Sequence, residues 1–184
     1  MGFFSRLFYT PPAREEWGSI ALNIAQSIEK SSEEWLDAVV QKFENGSTDV
    51  LNTAFDGDAE LAIKAYQLFL ASSFIAENQY IPPEDGKDFA DVLFASTCGT
   101  RLSDVLEFFG RYVEVADEGS AQLTRFTNDI AKYITGAEAP LQEMLLIVPS
   151  TIHLAWLNKL IVATHFKDES TASKVRERLD ELAV

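Results

Sequence analysis

Apolar residues recur every three or four positions through almost the whole chain, the spacing of helices that each bury one face. No stretch of alternating apolar and polar residues bounded by hairpin turns interrupts that pattern, so nothing in it asks for a sheet. The sequence therefore predicts an all-α fold. Its 184 residues suit one domain, and an apolar content of 47% is enough to fill a sizeable core.

The punctuation of the pattern divides it into about eight or nine helices. Trp17, Ile20, Ile24 and Ile28 mark one face of a first helix after Pro11-Pro12. Ser31 and Glu34 have the spacing of a capping box, which predicts a second helix carrying Trp35, Leu36, Val39, Val40 and Phe43. Asp58 is placed to cap a long helix reaching about Gln79, whose segment LFLASSFIA is apolar on every side. Pro82-Pro83 followed by Glu84 and Asp85 opens the next helix, and Gly99 closes it. Helices with stripes at Leu102–Val113 and Leu123–Ile134 follow. Pro140 starts another, and Pro149-Ser150 interrupts it before the apolar run TIHLAWLNKLIVATHF. A charged helix from about Thr171 ends the chain. The expectation is a single helical domain over residues 13–184, a multi-helix bundle whose two nearly all-apolar central helices are those near 58–79 and 150–166. Residues 1–12 form a separate apolar segment.

Charge limits the partners. The formal net charge is −14, a field that repels phosphate backbones and argues against nucleic acid. The charge is uneven: residues 1–14 carry Arg6 and Arg14 and no acid, whereas in residues 15–60 only Lys30 and Lys42 offset many carboxylates. Cys98 is the single cysteine and cannot form an intramolecular disulfide. With no secretory signal in view, the expected location is the cytoplasm.

Chemistry is sparse. His153 and His165 lie twelve positions apart, so on one helix they point about 120° away from each other. Neither belongs to an H-E-x-x-H or E-x-x-H motif. Asp56-Gly57-Asp58 opens like a calcium loop, but Leu61 and Gln67 stand where such a loop needs glycine and glutamate. There is no nucleophile elbow, phosphate-binding loop or dinucleotide fingerprint. The expectation is no catalytic residue, no metal ligand set and no cofactor. Glu84, Asp85, Asp88 and Asp91 form an acidic group at a helix start, suited to a solvated face or to a basic partner. Around that group the stretch SSFIAENQYIPPEDGKDFADVLF resembles the acidic helix–loop–helix of the TerB-like tellurite-resistance family. The resemblance implies a metal-linked stress function. Asn78-Gln79 stands here where the family has an Asp-Gly pair before the loop.

The N-terminal MGFFSRLFYTPP is the remaining feature. Phe3, Phe4, Leu7 and Phe8 fall on one face of a helix, with Ser5 and Arg6 opposite. Three readings compete: the segment packs on its own domain, docks on another protein or another copy of this chain, or rests on a membrane surface as a peripheral adaptor would. The function expected is a non-enzymatic protein-binding module, in concrete form an acidic inhibitor or immunity-type protein that masks a basic partner. The rival is a helical domain that binds a small ligand or metal, with His153, Trp156 and Cys98 lining its pocket.

Overall fold

The computed structural model describes residues 9–42, 59–103 and 141–182. Within them the chain is all-helical: α1 (Arg14–Lys42), α2 (Ala59–Glu77), α3 (Gly86–Cys98), a 3₁₀ turn (Gly99–Arg101), α4 (Leu141–His165) and α5 (Glu169–Leu182). The described residues hold five α-helices and do not support the expected count of eight or nine. Two pairs of expected helices are each one helix, and the stripes at 105–113 and 123–134 lie outside the described residues.

The first merger is at Ser31. The expected cap there is absent, because α1 runs unbroken from Arg14 to Lys42. Ser32 instead donates its hydroxyl back to the Ile28 carbonyl (2.7 Å), the bond by which a serine joins a helix interior. Glu34 faces Lys30 one turn earlier. Ile24, Ile28, Ser31, Ser32 and Trp35 are buried along a single stripe. The second merger is at Pro149, which lies inside α4. A proline there forgoes one backbone hydrogen bond, a cost of about 3 kcal/mol in a helix interior.

The hub is α1, which was not one of the two helices expected at the centre. α1 packs against α2, α3 and α4, and Ala21, Ile24 and Ile28 on it are fully buried. α2 is as central as its composition suggests: Ile63, Tyr66, Leu68 and Ala71 are all buried. α4 is less so. Leu154, Val162 and Ala163 are buried, whereas Ile152 is 43% exposed. α5 lies along α4 with Ala172 and Val175 inward.

Two helix ends share one device. Gln79 after α2 and Lys167 after α4 both take left-handed backbone, with φ of 53° and 55°. At each end the same pair of bonds closes the turn: Gln79 N–H to the Ala76 carbonyl and Tyr80 N–H to the Ile75 carbonyl, then Lys167 N–H to Thr164 and Asp168 N–H to Ala163. Both are Schellman motifs. Their final residues, Tyr80 and Asp168, then meet: the Tyr80 hydroxyl donates to Asp168 Oδ2 at 2.9 Å. Gly99 ends α3 with φ 51°, a conformation that favours glycine.

Around Tyr80 an aromatic knot joins four segments. Its ring stacks on Phe166 at 4.8 Å and lies 5.9 Å from Phe74, while Phe89 of α3 meets Trp17 of α1 edge-on at 5.8 Å. This knot fixes the loop between α2 and α3, where the most promising surface feature lies.

Candidate functional site: a groove between α2 and α3

The α2 cap at Gln79 turns the chain sharply. Ile81 then drops into the core, with 3% of its surface exposed, and Pro82-Pro83 carries the backbone to Asp85 through two tight turns. α3 starts at Gly86 and sends Phe89 and Leu93 inward. The two helices pack against each other beside this corner. Ala76 and Ala90 are too small to close the gap. A groove of about 400 Å³ results, with Ala76, Ile81, Pro83, Phe89, Ala90 and Leu93 among its walls. That volume falls within the range of ligand-binding clefts, about 300–1,000 Å³. One polar atom in the lining is anomalous: Ser72 Oγ is buried and makes no hydrogen bond.

Charged residues adjoin the groove residues in sequence. Glu77 and Glu84 are exposed and adjoin the wall residues Ala76 and Pro83 in sequence. Asp85 does not cap α3 with its side chain; its carboxylate pairs with the Arg14 guanidinium, which also reaches Asp88 at 3.5 Å. The Asp85 hydrogen bond, then its charge, raises the already high Arg14 pKa. Lys87 donates to Asp91 at 2.7 Å. Of the four acids singled out from the sequence, Asp85, Asp88 and Asp91 are thus engaged by cations of their own chain. Their hydrogen-bonding capacity is partly spent within the molecule.

The segment ahead of α1 is fastened beside this corner. The Tyr9 hydroxyl donates to the Tyr80 carbonyl at 3.0 Å, and its ring meets the Tyr80 ring edge-on. Burial, followed by the nearby Asp168 carboxylate, pushes the Tyr9 phenol up to about 12. Trp17 Nε1 donates to the Pro12 carbonyl at 3.3 Å, and the Arg14 guanidinium sits over the Trp17 ring. Phe3, Phe4, Leu7 and Phe8 lie outside the described residues.

His153, Trp156 and Cys98 are elsewhere, and the α2–α3 groove draws its walls from other residues. His153 is exposed on α4, and Trp156 is half-buried beneath the Lys159 ammonium, 4.5 Å from the ring centre. Cys98 is buried at the end of α3, where burial pushes its thiol up to about 11; so little thiolate forms near neutrality that it is a poor nucleophile. His165 lies 3.5 Å from Ser27 Oγ, and burial lowers its pKa. Among the described residues no three of His, Cys, Asp and Glu converge as a metal site would require. No helix among them is long and apolar enough to cross a membrane.

The sequence reading missed two things. One is the groove itself, whose signal is the pair of alanines at 76 and 90 flanking the Pro-Pro turn. The other is a buried polar cluster joining α1, α2 and α4. Gln67, fully buried, donates to Ser32 Oγ at 3.1 Å, and Asn158 donates to the Gln67 backbone carbonyl at 2.8 Å. Gln67 Oε1, Asn158 Oδ1, Ser31 Oγ and Trp35 Nε1 remain buried without partners. Comparison of the chain with protein-family models, with curated proteins and with solved structures finds no match.

Proposed function

We propose that this chain is a non-enzymatic, cytoplasmic protein-binding module, and that the α2–α3 groove receives an apolar segment bearing basic residues from its partner. The observation that carries the reading is an apolar cleft of about 400 Å³ on a chain of net charge −14. Apolar walls supply the affinity; the surrounding carboxylates supply steering and reject acidic competitors. An amphipathic helix laid into a groove is the matching mode. In its most concrete form the protein is an acidic inhibitor or immunity-type protein that masks a basic one.

The test is a calorimetric titration of the full chain with a synthetic Leu/Lys amphipathic peptide and with its Leu/Glu counterpart of the same pattern. The Lys peptide binds, more weakly as salt rises, and the Glu peptide does not. Ala76→Arg, which places a bulky cation in the cleft from an exposed position, abolishes the binding. Equal binding of both peptides, or of neither, overturns the reading. The rival, a small-ligand site, draws on the same volume. Thermal stabilisation by a metabolite or a metal that is lost in Ala76→Arg favours it.

A further inference from the structure

We propose that Ser72 sets the specificity of the α2–α3 groove, by hydrogen bonding to a side-chain amide or hydroxyl that the partner's helix carries at one end of its apolar stripe. The proposal rests on the reading of the groove as a receptor for an amphipathic helix, and adds the residue that selects among such helices.

On α2 the groove wall is made by Ser72, Ile75, Ala76 and Gln79. They stand at i, i+3, i+4 and i+7, so their side chains lie along one face. Gln79 is at the turn end, and Ser72 is farthest from it, about 10 Å along the axis at a rise of about 1.5 Å per residue. Two turns of a partner helix span the same length. The opposite wall, with Phe89, Ala90 and Leu93 of α3, offers no hydrogen-bonding side chain. An incoming helix thus meets apolar surface between Gln79 at one end and the Ser72 hydroxyl at the other.

That hydroxyl differs from others on the described helices. Ser27, Ser32, Ser96, Thr97 and Thr164 each donate to the carbonyl four residues earlier, a bond that satisfies a hydroxyl within its own helix. Ser72 Oγ is buried and makes no hydrogen bond. The other buried orphan atoms among the described residues, on Ser31, Trp35, Gln67 and Asn158, belong to the packed α1–α2–α4 cluster; Ser72 alone of the five lines the groove. An unpaired buried hydroxyl carries a desolvation cost that a hydrogen-bonding partner removes. Ser72 as a residue is half-buried, and rotation about its Cα–Cβ bond between staggered positions presents the oxygen to an occupant. The net charge of −14 selects a basic helix. Ser72 then discriminates between a stripe that ends on a polar residue and one that ends on leucine and leaves the hydroxyl stranded.

The test is a calorimetric titration of the full chain with the Leu/Lys peptide, built with one stripe of Leu at i, i+3, i+4 and i+7. Each Leu is replaced in turn by Asn, which has nearly the same shape, and wild type is compared with Ser72→Ala. At one end of the stripe, the ratio of the Leu and Asn dissociation constants shifts about tenfold between the two proteins, in favour of Asn on wild type. At the two middle positions the ratio is the same for both proteins. Free Ser72→Ala melts at or slightly above the wild-type temperature, because the substitution removes an unpaired group. An unchanged ratio at all four positions, or a shift at a middle one, overturns the proposal and leaves the groove standing as a receptor. A lower melting temperature for free Ser72→Ala also overturns it, since the hydroxyl then serves the fold. If the all-Leu peptide binds neither protein, the reading of the groove falls and this proposal falls with it.

Discussion

Two buried polar clusters tie this bundle together, and they are built to different standards. At the corner where α2, α4 and α5 meet, Asp168 accepts from the Thr171 N–H (3.0 Å), the Thr171 hydroxyl (2.7 Å) and the Tyr80 hydroxyl (2.9 Å), so each polar group there has a partner. Midway along the bundle, Gln67 and Asn158 each donate one bond but leave the side-chain oxygen unpaired, and the Ser31 hydroxyl and the Trp35 indole N–H are buried without partners. A satisfied network in a low-dielectric interior fixes geometry, whereas a half-satisfied one carries a desolvation cost with little return. The difference shows where the fold is specified. Two chain reversals depend on the corner; the middle cluster only registers helices already held by apolar packing.

The sharpest way to break that contrast is Asp168→Ala. It strands the Tyr80 hydroxyl and both Thr171 donors and removes the cap of α5, so it should cost about 3 kcal/mol in urea denaturation. A loss below about 1 kcal/mol would put the corner on a par with the middle. There, Gln67→Met removes the unpaired oxygen while keeping the volume. Its stability should lie within about 1 kcal/mol of wild type, on either side. A large loss would mean that the Gln67–Ser32 bond organises the core after all.

The smallest effects are in pH dependence. Burial pushes the Asp168 carboxyl up, but its three hydrogen bonds carry it below the usual carboxylate range. Its stabilising contribution is present above about pH 3.9, the unfolded value, and is lost as pH falls through the lower folded value. Asp168→Ala should erase that acid limb. His165 is held below its ordinary value of about 6.5 by burial, so the folded state prefers the neutral ring. Stability is complete above pH 6.5 and declines as pH drops toward the folded value. His165→Gln should flatten the stretch just below pH 6.5 in a series of thermal melts and leave the lower limb unchanged.

Much of the helical reading was legible because periodicity is local. The α2 core residues and the Gly99 stop follow from residues within one or two turns. The breaks at Ser31 and Pro149 were misread for a reason that is also physical. Capping boxes and prolines are local preferences of about 1–3 kcal/mol, and the apolar stripe from Ile24 through Trp35 outbids such a preference once it packs on α2 and α4. Of the candidate site, the acidic residues were legible, but their cations were not. Arg14 and Asp85 are 71 positions apart, and nothing local announces such a pair. The groove was invisible for the same reason, since Ala76 and Ala90 line one cleft only once α2 and α3 pack together.

What the sequence by itself determined is the helical class, the net negative charge, the absence of a motif with known chemistry and the apolar composition of residues 1–12. All of these depend on spacing and composition along the chain. What only the tertiary structure decided is which helix is the hub, which acids are neutralised from within, and that two helix ends of the same design meet through Tyr80 and Asp168. Those depend on contacts between residues far apart in sequence, where packing free energy summed over many side chains overrides the weaker preference of any single one.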